Sequence, residues 1–292
     1  MRDTVETLRR KIGSATDLHG VVRTMKAMAA SSITQYKNSS KALVDYHRSI
    51  ELGLGACFRY PIPVSGTLIP VPDTGIGYRK IAIVFASDQG LVGKFNDVVA
   101  DFVIEELGAD IASAKIWVVG ARISSRIEEG GGKIMGLFPV PNSVEAITPL
   151  VGDILLNCGD LEAQSVLYLF YNETKSGSGY KPKCLRLLPL DSTWRLQLIE
   201  KKWPTNLNPE IFGDGVLESL IREHLFIALF RACAESLAAE NASRLAAMQR
   251  ADKNIEELLE GLQRSFHQMR QSRIDEELFD LISGFETLGG DV

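Results

Sequence analysis

Apolar residues near the end of the chain recur at alternating intervals of three and four. Leu245, Met248, Asp252, Ile255, Leu259, Leu262, Phe266 and Met269 form one such series, apolar except at Asp252. That is the seam of a heptad repeat, the stripe by which one helix lies along another. The stretch just upstream, FIALFRACAESLAAENASRLAAM, is rich in alanine and leucine, both strong helix formers. Alanine on a seam also lets a partner helix come close. The start of the chain carries a weaker series: Val5, Leu8, Ile12 and Ala15, then Val22, Met25, Ala29, Ile33 and Tyr36, then Leu43, Ile50 and Leu54. All eleven prolines fall between Pro61 and Pro209. Both ends are therefore free of the residue that breaks helix interiors.

A helix over residues 212–288 would be about 115 Å long at about 1.5 Å per residue. A compact domain of this size is only about 45 Å across. The helix must then protrude, and its apolar stripe needs a partner. Residues 3–57 are the internal candidate, paired as one antiparallel helix that sets residue 57 near 212 and residue 3 near 266. Charge favours the pairing. Residues 1–60 hold ten basic and five acidic side chains, and residues 210–292 hold eight basic and sixteen acidic ones. About twenty residues would overhang at the far end. Their sequence, LFDLISGFETLGG, is too apolar for open water, so an enclosing partner protein is expected.

The middle of the chain follows a different pattern. KIAIVFAS (80–87) reads as a buried strand, then a turn at Asp88–Gly93 and a helix from about Asn96 to Leu107. KIWVVG (115–120) reads as a second strand, followed by a short helix near 121–129 that Gly130–Gly132 closes. A helix over 143–158 and strands at 165–172 and 183–190 complete the reading. Strand–helix–strand alternation implies a small α/β sheet. Residues 61–79 and 191–209 read as connectors, with GTLIPVPDTGIGY and KSGSGYK as surface loops. The expected architecture is α/β: a long antiparallel two-helix coiled coil of the N- and C-terminal segments with an inserted small Rossmann-like domain. The expected divisions are 1–60, 61–209 and 210–292.

Composition narrows the function classes. Hydrophobic residues make up 45% and charged residues 24% of the 292, so the chain is globular. With 32 basic against 37 acidic residues the net charge is −5, which argues against a dedicated nucleic-acid binder. Cys57, Cys158, Cys184 and Cys233 are too far apart for a disulfide framework or a thiolate zinc site. No apolar run suggests a membrane span or a signal segment.

Candidate chemistry is sparse. SDQGLVGKFN follows a strand as a phosphate loop would, but Asp88 stands at the first glycine of the Walker pattern and Phe95 at its hydroxyl. It reads as a tight turn, with Asp88 as a turn-capping carboxylate. Ser87 lacks a nucleophile-elbow context. His19, His47, His224 and His267 include no metalloprotease motif, although the antiparallel register sets His47 near His224. Met25, Met28, Met248 and Met269 read as core filling. Asp252 reads as a register or partner residue. Arg9, Arg10 and Lys11 form a basic patch near the expected tip.

Four stretches resemble the gamma subunits, or central rotor stalks, of F1-type ATP synthases. IGSATDLHGVVRTMKAMAAS (12–31) keeps Ile12, Arg23 and Met25, with Ala29 and Ala30 following. ASDQGLVGKFN (86–96) keeps Ser87, Asp88, Gly90, Leu91, Gly93 and Asn96, and departs at Gln89, Val92 and Lys94. ENASRLAAMQRADKN (240–254) keeps Glu240, Arg244, Ala247, Met248, Ala251 and Asn254. RQSRIDEELFDLISGF (270–285) keeps Arg270, Gln271, Ile274, Glu277, Leu278, Ile282 and Gly284, with Asp275 and Phe285 as departures. These departures suggest a divergent branch.

The resemblance implies a non-catalytic shaft. It would carry torque between a membrane c ring and the catalytic beta subunits of an alpha3–beta3 hexamer, beside an epsilon subunit. ATP, ADP and magnesium would sit on alpha and beta, with no cofactor or metal on this chain. The location implied is peripheral, on the cytoplasmic face of a bacterial inner membrane. Arg9, Arg10, Arg270 and Arg273 would meet acidic partner loops. Leu278, Leu281, Ile282 and Phe285 would form an apolar axle end. Arg23, Met25, Arg244 and Met248 would stiffen the shaft or touch beta, and Ser87 to Asn96 would organise the domain near epsilon. The alternatives are a long-hairpin adaptor outside any rotary machine and a small α/β enzyme with helical arms. Calorimetry on the isolated chain with ATP should show no binding, and tight binding would favour the enzyme.

Overall fold

The computed structural model describes residues 4–59, 79–158, 165–175, 179–203 and 215–289, with side chains described as far as Ile282 on the last helix. The expected loop over 66–78, residues 176–178 of KSGSGYK and residues 204–214 lie outside the described residues. The chain divides into two compact units, Met1–Met28 with Leu245–Val292, and Ala29–Arg244.

Two of the helices span most of the chain's proline-free ends. The first expected helix is in fact two, α1 (Val5–Ala42) and α2 (Val44–Arg59), divided at Leu43. The last is α7, Val216–Gly289, 74 residues without interruption. On α1 the buried positions Leu8, Ala15, Val22, Ala29 and Tyr36 recur every seventh residue, the period that keeps one face toward a partner.

In the first unit α1 and α7 are held together by Val22, Met25, Met248, Ile255 and Leu259. Along α7 the seam positions from Leu245 to Met269 are buried or half-buried, whereas Arg270 to Ile282 are exposed throughout. The seam thus ends at Met269, where the heptad pattern stops. Met28, expected in the core, is 66% exposed, because α1 turns it away from that seam.

The second unit is built on a five-stranded sheet of order β3-β2-β1-β4-β5. Its strands are β1 (Arg79–Phe85), β2 (Lys115–Val119), β3 (Lys133–Phe138), β4 (Ser165–Thr174) and β5 (Tyr180–Leu188). β1 pairs in parallel with β2 and β4, β2 pairs in parallel with β3, and β5 adds an antiparallel edge. The run KIAIVF is apolar on both sides because β1 is covered on both faces, as a central parallel strand is. Ala82, Val84 and Ala86 meet Val99, Val103 and Ile127 of α3 (Phe95–Leu107) and α4 (Ser124–Glu129). Ile81, Ile83 and Phe85 belong to the opposite core. That core also holds Val151 and Ile154 of α5 (Ile147–Asn157), Leu54 of α2, and Leu225, Leu229 and Cys233 of α7.

Two elements correct the sequence reading. β3 passes unnoticed after the glycine run because it is a short edge strand with only alternate residues half-buried. The stretch taken as connector at 191–209 contains α6, Ser192–Glu200, started by Asp191, whose side chain accepts from the Thr193 amide at 2.9 Å. α6 packs on α2 so closely that a Cβ at Gly55 would lie 2.4 Å from the Leu198 carbonyl oxygen. α5 also begins later than expected, at Ile147.

Within this unit the antiparallel register follows from three contacts. Tyr46 donates to Glu223 at 2.9 Å, the rings of His47 and His224 stack at 5.7 Å, and Gly53 faces the Leu220 side chain. The His47–His224 juxtaposition is the one the register predicts. Trp194 of α6 covers His224 with ring centroids 4.7 Å apart. Burial pushes the His224 imidazole down to about 4, with His47 adding to the effect, and burial also lowers His47.

The unfolded chain binds a proton on His224 near pH 6.5, the folded chain only near pH 4. Stability from this group is therefore full above about pH 6.5 and drains away as pH falls toward 4. In urea titrations, His224→Phe should flatten the acid loss between those values by about 3 kcal/mol relative to the wild type.

Candidate functional site

Among the described residues the sequence reading points to a polar step in the first unit's seam, the exposed end of α7, and the turn after β1 in the second unit. Each rests on side chains that the folding pattern holds in place.

Asp252 occupies an apolar seam position, and a lone buried carboxylate there would be costly. Lys26 answers it at 2.5 Å on Oδ2, and His19 Nε2 lies 2.9 Å from Oδ1. Arg23 approaches Asp252 at 3.8 Å and Glu256 at 3.4 Å. The hydrogen bond from Lys26 is the main reason the Asp252 carboxyl sits below the usual carboxylate range, and His19 adds to it. His19, Asp252 and Glu256 are donors of metal-ligand type within 4.8 Å of one another. Lys26 and Arg23 already supply positive charge to those carboxylates, so the arrangement is that of an ion-pair cluster. It fixes which residue of α1 meets which of α7, because sliding either helix by a turn would strand Asp252.

Beyond the seam, Leu278, Phe279, Leu281 and Ile282 are exposed, Phe279 to 68% and Leu281 to 65%. Arg270 and Arg273 are exposed on the same stretch, Arg273 reaching Glu277 at 3.3 Å. Arg9 and Arg10 are exposed on α1. The side chain of Phe285 lies outside the described residues.

Arg23 and Arg244 have different partners. Arg244 binds Glu240 at 2.5 Å and Asn241 at 3.2 Å, all three buried on α7 in the second unit. Burial pushes the Glu240 carboxyl up, with Arg244 pulling it the other way. Met25 and Met248 do share the apolar cluster of the first unit.

The turn Ser87 to Asn96 lies at the carboxyl end of β1, where the strand order reverses, the usual ligand crevice of an open α/β sheet. Here the chain's own groups occupy it. Asp88 Oδ1 accepts from the Ala121 amide and Oδ2 from the Val140 amide, both at 2.7 Å, tying the tips of β1, β2 and β3 together. Ser87, fully buried, receives a hydrogen bond from Asn96 Nδ2 at 2.9 Å, and its amide donates to Asn96 Oδ1 at 3.0 Å. Ser243 of α7 donates to the Val92 carbonyl at 2.6 Å. Ala239 packs on Val92 and Phe95. Gly90 lies against the Arg122 guanidinium, while Gly93 and Leu91 both take positive φ, 59° and 65°. For Leu91 that conformation is unusual, and its side chain is 60% exposed.

Sequence reasoning missed Lys26, Arg122, Gly120 and Ser243. Gly120 adopts φ of 100°, and a Cβ there would strike the Ser87 amide nitrogen at 2.7 Å. The signal for Lys26 was present, since a cation on the facing helix is what a buried seam aspartate requires.

A model described as ATP synthase matches residues 4–288, and the chain belongs to that family, among its gamma chains. It is similar to the ATP synthase gamma chain of Syntrophus aciditrophicus, 26% identical, with 97% of this chain and 98% of the relative covered. The fold is shared with two solved chains of Euglena gracilis mitochondrial ATP synthase. One, from the rotor in rotational state 1, has a TM-score of 0.64 at 13% identity and covers 92% of this chain and 98% of its own. The other, from the OSCP/F1/c-ring structure in rotational state 3, has a TM-score of 0.67 at 15% identity and covers 99% and 96%.

Asp88→Ala would leave two backbone amides without their acceptor, and urea unfolding should show a loss of about 1–3 kcal/mol. Lys26→Met should raise the Asp252 pKa toward the ordinary carboxylate range, read by carboxyl-carbon NMR titration. An unmoved Asp252 would mean that the ion pair does not set its charge.

Proposed function

We propose that this chain is the central stalk of a rotary ATP synthase, transmitting torque between the membrane c ring and the catalytic beta subunits. The observation that carries this reading is the course of α7. Its seam is covered as far as Met269, and beyond that the helix continues with large apolar side chains exposed. A soluble chain leaves such a surface bare only where a partner encloses it. Apolar side chains suit a bearing, because they make no directional hydrogen bonds that must break at each step.

In this reading the alpha3–beta3 hexamer forms the sleeve around Leu278, Leu281, Ile282 and Phe285. Arg9, Arg10, Arg270 and Arg273 face acidic loops of that sleeve. The ion-pair cluster at Asp252, with Met25 and Met248, keeps the two strands of the shaft from sliding under load, and Arg23 and Arg244 add stiffness on their own stretches. Residues 1–60 and 210–292 supply the shaft, and 61–209 the domain outside the sleeve. The turn from Ser87 to Asn96 holds that domain rigid where it meets epsilon and the c ring. Asp88 and α7 fill its crevice, so its work is structural. ATP, ADP and magnesium are held by the partner subunits. Among the described residues no helix is long and apolar enough to cross a membrane. The stalk is placed peripherally, on the cytoplasmic side of a bacterial inner membrane. Rotor angle and site affinity are linked reciprocally, so hydrolysis on beta drives the same shaft in reverse.

The test is ATP-driven ion pumping by the reconstituted complex. A chain ending at Met269 should keep the fold of the second unit while the ions moved per ATP fall several-fold. Unchanged pumping with the shortened chain would remove the role assigned to the apolar end.

A further inference from the structure

The second unit contains a cavity of about 480 Å³ between α2, α6, α7 and the end of β5. That volume lies within the range of sites for small organic ligands, about 300–1,000 Å³. None of the roles argued above uses it.

One side of the cavity is aromatic. His47, His224 and Trp194 all line it, the two imidazoles stacked within 23° of parallel and the indole within 33° of His224. Such a slab receives a flat ring by stacking. Burial keeps both imidazoles uncharged near neutral pH, so they contribute apolar surface together with polar nitrogens. Nδ1 of His224 is buried without a hydrogen-bond partner among the described groups, leaving capacity in this wall unspent.

The charged part of the remaining lining is mostly cationic. Lys183, Arg186 and Arg231 line the cavity against one carboxylate, Asp191. Asp191 is committed to capping α6, accepting from the Thr193 amide at 2.9 Å and its hydroxyl at 2.8 Å. Arg231 meets Glu235 through Nε at 2.9 Å, and Lys183 meets Glu173 at 2.7 Å. A guanidinium bound through Nε still has the donors on its two Nη atoms to offer. Paired in this way, the cations are held in place and still carry donors for an acid group.

We propose that this cavity binds a small planar aromatic acid, its ring against Trp194 and the histidines and its carboxylate toward Arg231 and Lys183. Leu43 and Val44 line the same space, so the occupant rests on the junction where α1 gives way to α2.

The experiment is titration calorimetry of the full chain with 2-naphthoate and with its neutral isostere 2-naphthamide. Naphthoate should bind saturably at one site per chain, and the amide at least tenfold more weakly. Ala228, which lines the cavity, is replaced in Ala228→Phe to fill the space, with circular dichroism to verify the fold. That variant should lose naphthoate binding. Arg231→Gln, at an exposed position on α7, should weaken naphthoate at least tenfold and leave the amide unchanged. No saturable binding at 1 mM would overturn the proposal. So would equal affinity for acid and amide, or undiminished binding by a folded Ala228→Phe. Should that variant fail to fold, the Arg231→Gln result decides alone.

Discussion

An amphipathic helix in water must cover its apolar stripe, and the rest of this structure follows from how the two ends of the chain meet that demand. Every seventh residue of α1 from Leu8 to Tyr36 is buried. On α7 every position of the three–four alternation from Leu245 to Met269 is buried or half-buried. The match is not left to apolar contact alone, which tolerates slippage by a turn. Asp252 adds a charge that is cheap only beside Lys26 and His19, so the pairing has one favoured register. A torsion-bearing shaft needs that property more than it needs extra stability.

The second unit treats α7 differently. From Ile227 to Arg244 nearly every residue is buried, because the helix there has the sheet on one side and α2 on another. Small side chains make this possible: Ala232, Ala234, Ala238, Ala239 and Ala242 let neighbours approach. Glu240 and Arg244 are the exception and are tolerated by neutralising each other. The same segment sends Ser243 to the turn after β1. A crevice that in other α/β sheets admits a ligand is thereby filled by Asp88 and a helix, and a nucleotide-binding geometry becomes a brace.

Legibility in the sequence tracked the range of the interaction. The seam was readable because its signal is a period, repeated many times on one helix. The stacking of His47 and His224 was readable because the register, once chosen, fixes the neighbours. α6 was not readable, since its packing surface is given by Gly55 on α2 and its one local mark was the capping Asp191. β3 was hidden by its half-exposed edge position. The donors to Asp88 were beyond reach, since Ala121 and Val140 lie 33 and 52 residues away.

By itself the sequence determined the helical ends, their antiparallel sense and the strand–helix alternation between them. Each of these is written in local periodicity and in where proline is allowed. Only the tertiary structure decided which cation would answer Asp252, which amides Asp88 would hold, that α1 and α2 part at Leu43, and that a cavity opens beside that break. Those outcomes depend on surfaces from distant segments meeting at angstrom distances, and no pattern within a single segment records them.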